Sequence, residues 1–339
     1  MRLIVFFLCV AVPAQYVGIL YQKAAEQNKI NAFTQKRFED FYALPENSLD
    51  MVFIGSSHSY CTFDPEIFDK ELGTSSFQMG TPLQHADTTY YLLREIYQTQ
   101  TPKVVVMEAY WDVLDDDFEM KQANSFFEVL ENPELKKEYI KKVFPMGEKM
   151  KYFLLPIRFQ RDYFAYEANE MEKHLEETYG VHKKQKETQK GQEYYRSKGY
   201  VYCDMGMLPD EYDLTNQFKN LDGKKWSISK KQANYVRKIA QLCEEKGSKL
   251  VLVTAPVANV SMDYIKNYDK IHNHIEELSK ELSVPYLDYN VINQQENLLS
   301  NENFRDDAHL NDSGVIIVDK HFISWLKEQS GFFSENVSH

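Results

Sequence analysis

Short apolar runs that alternate with helix-like segments constrain the fold of this chain more than any other feature. Runs such as MVFI (51–54) have the length and content of strands that are buried in a parallel sheet. The stretch DPEIFDKELG predicts a helix that is capped by Asp64, has Pro65 at its first position and ends at Gly73. Strands are predicted at 51–54, 75–80, 103–110, 250–256 and 284–290. Their alternation with helices predicts an α/β protein, a three-layer α/β/α arrangement with a mainly parallel five-stranded sheet.

The N-terminal segment differs from the rest of the chain. Residues 3–20, LIVFFLCVAVPAQYVGIL, contain no charged residue and match the length of a bilayer-spanning helix, about 17–25 residues. We predict that residues 1–22 form a transmembrane anchor or a signal. A cleaved signal peptide and a buried helix of a soluble domain stay open as alternatives. Because no second segment of this kind follows, we predict a single-pass protein of the cell membrane whose main domain is extracytoplasmic.

The remaining residues divide by composition. Residues 23–47 are polar with scattered aromatic side chains and predict a helical stalk. The α/β domain is expected over 48–330, followed by a tail at 331–339. The alternation of predicted strands and helices stops over about 112–226. This stretch is charged and aromatic and predicts a helical insertion. An insertion of this length can cover or shape a site.

Composition excludes several classes of function. The chain has 39 Lys and Arg against 51 Asp and Glu, a net charge of −12, and it has no basic stripe, so we predict no nucleic-acid partner. Its cysteines have neither the number nor the spacing of a disulfide framework or a metal site. They are Cys9, Cys61, Cys203 and Cys243. We predict no metal and no cofactor.

Two short motifs carry groups that could act together in catalysis. VFIGSSHSY (52–60) places serines just after the first predicted strand, where ligands bind in open parallel sheets. A serine hydroxyl needs a base, commonly a histidine that an acid orients. FRDDAHLNDSG (304–314) supplies both, because Asp306 and His309 are three residues apart in a loop before the last helix. Asp307 is an alternative to Asp306 as the orienting acid.

These motifs resemble those of the SGNH (GDSL-like) hydrolases. Gly55-Ser56-Ser57 resembles the first block of that family, Asp306-x-x-His309 its last block and SFQMGTPLQ its second block. The resemblance implies an SGNH, flavodoxin-like fold over residues 51–110 and 249–327. It also implies that Ser57 is the nucleophile, His309 the general base and Asp306 its orienting acid. The amides of Ser57 and Gly80 would form the oxyanion hole.

One block departs from the family pattern. The third block normally supplies an asparagine as an oxyanion donor, and here the corresponding stretch reads MEAYWDV. Tyr110 and Trp111 are the candidate substitutes for that donor. Together with His58, which adjoins Ser57, they are also the predicted substrate-binding residues.

Within the family, the chain looks more like membrane-anchored members that handle acyl groups on cell-envelope polymers. The D-alanyl transfer proteins of Gram-positive teichoic-acid synthesis (DltD-like) have a similar anchor, Gly-Ser-Ser block and late Asp-x-x-His-Leu. This likeness implies serine-dependent acyl transfer, as an O-acyltransferase or esterase, on a cell-surface polysaccharide or teichoic acid. It also implies a membrane-bound O-acyltransferase as partner. A stand-alone extracellular esterase or lipase and a non-catalytic assembly or binding protein with this fold are the alternatives.

Overall fold

A computed structural model of the protein describes residues 2–29, 31–154, 189–190, 192–208 and 215–329. The strands are β1 (Met51–Ile54), β2 (Ser76–Gln78), β3 (Val104–Glu108), β4 (Gln189–Lys190), β5 (Glu193–Ser197), β6 (Tyr200–Cys203), β7 (Lys249–Thr254) and β8 (Tyr286–Asp288). Five of them form the central sheet in the order β2-β1-β3-β7-β8, and every neighbouring pair is parallel. The other three form a small antiparallel sheet in the order β4-β5-β6.

Helices cover both faces of the central sheet. The helices of the described residues are α1 (Arg2–Lys29), α2 (Ala32–Tyr42), α3 (Ser57–Tyr60), α4 (Pro65–Leu72), α5 (Ala86–Thr99), α6 (Trp111–Leu114), α7 (Met120–Val129), α8 (Pro133–Val143), α9 (Met146–Phe153), α10 (Lys230–Lys246), α11 (Asn259–Met262), α12 (Tyr268–Leu282), α13 (Tyr289–Glu296) and α14 (Asp312–Glu328), with a 3₁₀ turn at Asn301–Asn303. Helices α5, α10 and α12 contribute to the core on one face, and α4 and α14 to the core on the other. This confirms the predicted three-layer α/β/α arrangement.

The inner strands β1, β3 and β7 are mostly apolar because both of their faces are buried. Val105 belongs to the core cluster that includes Leu92 of α5. Its neighbours Val104 and Val106 belong to the opposite cluster, which includes Phe322 of α14. Successive side chains of a strand point to opposite faces, so a sheet with helices on both sides needs an apolar residue at every position. That requirement explains the continuous apolar runs of the sequence.

Helix α4 begins and ends where the sequence predicts. The Asp64 carboxylate accepts a hydrogen bond from the amide of Glu66 at 3.0 Å, and Pro65 occupies the first helical position. Gly73 ends the helix with a φ of 66°, a left-handed conformation that glycine adopts without steric cost. The helix therefore leaves the chain directed back towards β2.

Helix α1 includes the segment that is predicted to anchor the protein. Its apolar side chains are largely exposed, for example Ile4 at 65%, Phe6 at 63% and Phe7 at 62%. Across the described ranges, none of the helices meets the length and hydropathy expected of a membrane span. The anchor or signal at residues 1–22 stays a prediction.

The predicted stalk at 23–47 needs correction, because α2 is part of the folded domain. Phe38 and Phe41 are each only 2% exposed and belong to the main core cluster. Arg37 is fully buried and donates two hydrogen bonds to the carbonyl of Gly199, at 3.0 and 2.7 Å. The scattered aromatic residues of this stretch are therefore buried anchors of α2.

The insertion is helical only in part, which corrects the expectation of a helical block at 112–226. Its first third forms α6 to α9, but β4, β5 and β6 form the small antiparallel sheet. The turn between β5 and β6 covers the edge strand β2, where the Lys198 carbonyl accepts a hydrogen bond from the Gln78 amide at 2.8 Å. Gly199 has a φ of 85°, and a Cβ there would lie 1.9 Å from the Gln78 carbonyl oxygen. The predicted tail at 331–339 lies outside the described residues.

Candidate active site

A tight turn at the end of β1 presents the three serines of the first motif. Gly55 follows the last strand residue with a φ of 142°, in a region that disfavours side chains. A Cβ on Gly55 would lie 2.7 Å from the Cβ of Glu108 and 2.9 Å from its Oε2. Backbone conformation and close packing therefore both require glycine at this position.

Glu108, the last residue of the neighbouring strand β3, holds this turn through hydrogen bonds to Ser56. Its Oε2 accepts hydrogen bonds from the Ser56 amide at 2.9 Å and from the Ser56 Oγ at 2.7 Å. Burial raises the pKa of the Glu108 carboxyl to about 7, although the two hydrogen bonds from Ser56 act in the opposite direction. In the sequence, an acid at the end of an otherwise apolar strand marks this residue.

The structure brings Ser57, His309 and Asp306 together. Ser57 begins α3, and its Oγ lies 2.9 Å from Nε2 of His309. The Nδ1 of the same ring lies 3.0 and 3.1 Å from the two carboxylate oxygens of Asp306. Serine, histidine and carboxylate, hydrogen-bonded in this order, have the geometry by which a catalytic triad is recognised. All three side chains are partly exposed, so a substrate can reach the hydroxyl.

Asp306 is held in the ionised form. Burial acts against its negative charge, but the hydrogen bonds from His309 and from the Ala308 amide, together with the nearby His309 and Arg305, outweigh burial. The amides of Ala308 and His309 also donate to its Oδ1, at 2.8 and 2.7 Å. Together these contacts hold the pKa of the Asp306 carboxyl well below its usual range, which suits a residue that orients and stabilises an imidazolium.

The neighbouring carboxylate, Asp307, binds a different partner. Its two oxygens accept hydrogen bonds from the amide and the side-chain nitrogen of Gln217, at 3.0 and 2.6 Å. Asp307 is 6% exposed, and its backbone carbonyl accepts a hydrogen bond from Ser261 Oγ at 2.7 Å. Of the two carboxylates, it is Asp306 that contacts the ring of His309.

The two amides that the resemblance assigns to an oxyanion hole differ in availability. No hydrogen bond joins the Ser57 amide to another described residue. The Gly80 amide, by contrast, donates to Oε1 of Gln78 at 2.8 Å. A Cβ on Gly80 would lie 2.9 Å from the Ser56 carbonyl oxygen, so this glycine lies close to the nucleophile turn, the turn at Gly55 and Ser56 that precedes Ser57. Its amide is nevertheless occupied in this structure.

His58 and Tyr110 form a stacked pair beside the triad. Their ring centroids lie 3.8 Å apart, and the His58 ring lies 4.7 Å from the ring of His309. Burial lowers the pKa of the His58 imidazole well below its ordinary value, and the nearby His309 lowers it further. His58 is therefore a neutral ring at ordinary pH, able to donate one hydrogen bond and accept another.

Trp111, the third predicted substrate-binding residue, lies in the core. It is 1% exposed, and its ring packs edge-on against those of Phe218 and Tyr268, with centroids 5.9 and 5.5 Å away. Its backbone carbonyl accepts a hydrogen bond from Nε1 of Trp226 at 3.2 Å. Trp111 is therefore a core residue and presents almost no surface to a substrate.

No protein-family model matches the chain, and no curated protein matches it. Among solved structures, it is similar to a GDSL-like lipase from Bacteroides thetaiotaomicron, with 13% sequence identity and a TM-score of 0.39 over 87% of this chain and 99% of that chain. It is also similar to an acetylxylan esterase from Geobacillus stearothermophilus, with 9% identity and a TM-score of 0.35 over 84% of this chain and 96% of that chain.

Proposed function

We propose that this protein transfers acyl groups through an ester on Ser57, as an esterase or an O-acyltransferase. The observation that carries the proposal is the continuous hydrogen-bonded relay from Ser57 Oγ through His309 to Asp306, with distances of 2.9 and 3.0 Å. Ser57 is partly exposed, and a histidine at this distance whose other nitrogen is bound to a carboxylate is the geometry that identifies a serine triad.

The relay supplies each proton transfer of the reaction. Ser57 Oγ attacks the carbonyl carbon of an acyl ester while its proton passes to Nε2 of His309, and Asp306 stabilises the imidazolium that forms. The tetrahedral intermediate then expels the alcohol, which takes the proton from Nε2, and the acyl group stays on Ser57. Water or a second hydroxyl group attacks this ester by the reverse sequence, which gives hydrolysis or transfer.

Stabilisation of the oxyanion depends on fewer donors than a complete oxyanion hole provides. The Ser57 amide is the available donor, whereas the Gly80 amide becomes available only when the Gln78 side chain turns away. Since one lost donor costs about 10²–10³ in kcat in a protease, a slow enzyme is expected.

The acyl acceptor and the partner follow from the sequence resemblance. We propose a cell-surface polysaccharide or teichoic acid as substrate, and a membrane-bound O-acyltransferase as the protein that supplies the acyl group. Support comes from the motifs at Ser57 and His309 together with the uncharged segment 3–20, which would keep the domain at the membrane surface.

A fluorophosphonate probe tests the nucleophile. The full-length chain should be labelled, Ser57→Ala should lose the label, and Ser59→Ala, which alters a buried neighbour bound to Gln78, should keep it. Undiminished labelling of Ser57→Ala would refute the assignment. Hydrolysis of small acyl esters by the isolated chain would favour a stand-alone esterase. Lack of labelling and of ester hydrolysis in the wild type, with or without the membrane partner, would favour a non-catalytic assembly protein.

A further inference from the structure

Arg305 connects three separate parts of the molecule beside the proposed triad. It precedes Asp306 in the loop before α14, and its side chain is only 8% exposed. Its Nη1 donates to Oε1 of Glu193 at 2.6 Å, and its Nη2 donates to Sγ of Cys61 at 2.8 Å. Its Nε lies 3.7 Å from Oδ2 of Asp306.

Each contact of Arg305 reaches a different element. Cys61 directly follows α3, the single helical turn that begins at Ser57, and its amide donates to the Ser57 carbonyl at 3.0 Å. Glu193 is the first residue of β5 in the small sheet of the insertion. One guanidinium group therefore fixes the nucleophile turn, the acid–base loop and the insertion relative to one another.

The Nε–H group of Arg305 is buried and has no hydrogen-bond partner among the residues that the structure describes. A shift of about 0.5 Å would bring it within hydrogen-bond distance of Asp306 Oδ2, since such bonds extend to about 3.2 Å. A buried cation also needs a counter-charge. Glu193, whose side chain is 20% exposed, provides that charge with the shortest contact that Arg305 makes.

We propose that Arg305 is a positioning residue for Asp306, and that the insertion acts in the reaction by holding Arg305 in place through Glu193. This inference rests on the proposed function. It assigns the small β4-β5-β6 sheet a role in the rate of acyl transfer, although neither Glu193 nor Arg305 hydrogen-bonds to Ser57 or to the His309 ring. Displacement of β5 by a partner or a substrate would then change the rate.

Kinetics of the full-length chain with a small acyl ester test the proposal. Glu193→Gln and Arg305→Met should each lower kcat by about 10–100-fold, the effect known for partners that orient metal ligands, and leave KM unchanged. Glu193→Gln keeps the shape of the side chain and removes only its charge, so it decides the question if Arg305→Met does not fold. Arg237→Met is the matched control, because it breaks a two-bond ion pair with Glu281, at 2.6 and 2.8 Å, between α10 and α12.

Double variants separate positioning from general stability. Glu193→Gln combined with Arg305→Met should be no slower than Arg305→Met alone, because both act through the same contact. Arg305→Met should likewise have little further effect on the labelling rate of Asp306→Asn. Fully additive losses in either pair, or unchanged kcat in the single variants, would overturn the proposal. If the wild type neither takes the label nor hydrolyses the ester, the proposed function fails and the inference fails with it.

Discussion

Replacement of Glu108 by glutamine tests whether a buried acid holds the turn that precedes Ser57. Glu108 is 1% exposed, and burial raises the pKa of its carboxyl from 4.5 to about 7. The folded protein therefore keeps this proton over a pH range in which the unfolded chain has released it. The Glu108→Gln side chain has a similar shape and no charge at any pH.

The sign of the effect follows from that difference in protonation. The carboxyl is neutral in both states below pH 4.5, so it imposes no penalty there, and the penalty grows as the pH rises to about 7, where the folded protein must ionise it. At about 1.36 kcal/mol per pKa unit, the full penalty is about 3 kcal/mol. Wild-type stability should fall with rising pH relative to that of Glu108→Gln.

Urea unfolding of both proteins, followed by circular dichroism from about pH 5 to about pH 8, measures this effect. The free energy of unfolding of Glu108→Gln minus that of the wild type should grow by about 2–3 kcal/mol over this range. Any cost of the amide itself is the same at every pH and drops out of the slope. Glu244→Gln, at an exposed position on α10, is the control and should run parallel to the wild type. A parallel course for Glu108→Gln would refute the reasoning.

Three further predictions concern the acid, the turn and the N-terminus. Asp306→Asn should lower kcat by about 10⁴-fold, as in other triads, whereas Asp307→Asn should change it little; equal losses would contradict the assignment. Gly55→Ala should destabilise the fold by about 3 kcal/mol, because its Cβ would lie 2.7 Å from that of Glu108 at a φ of 142°. An unchanged urea midpoint would show that the turn can relax. Full-length protein should fractionate with membranes through residues 3–21, and recovery at full mass in the soluble fraction would remove the anchor.

The central sheet could be predicted because the forces that specify it act locally. The strand β3 contains three successive valines, Val104, Val105 and Val106, which are buried on alternate faces of the sheet. Such a β-branched run is by itself enough to predict a strand that is buried on both faces. The caps of α4 are equally local, since Asp64 bonds the amide two residues ahead. The small sheet has no such signal. Along β5 the side chains alternate between exposed and partly buried, and polar residues such as Arg196 obscure the alternation.

The triad could be predicted from sequence, whereas the contacts that support it could not. Asp306 and His309 lie in one motif, and a topology that brings the ends of parallel strands to one edge joins them to Ser57. Glu108 and Ser56, however, are 52 residues apart, and Arg305 and Glu193 are 112 residues apart. The first contact depends on the pairing of β1 with β3, and the second depends on how the insertion packs against the finished sheet, so neither is marked by a motif in the sequence.

The position of Ser57, the proposed nucleophile, depends on the contacts that Glu108 and Arg305 make. Helix α3 has only four residues, and a single turn is not stable through its own hydrogen bonds. Glu108 holds the residue before the turn from the central strand β3, and Arg305 holds Cys61 at its other end. Loss of either contact would let Ser57 move relative to His309, across a hydrogen bond of 2.9 Å. Because a misplacement of about 1 Å can cost about 10²-fold in rate, variants at these two contacts should lose catalysis before they lose the fold.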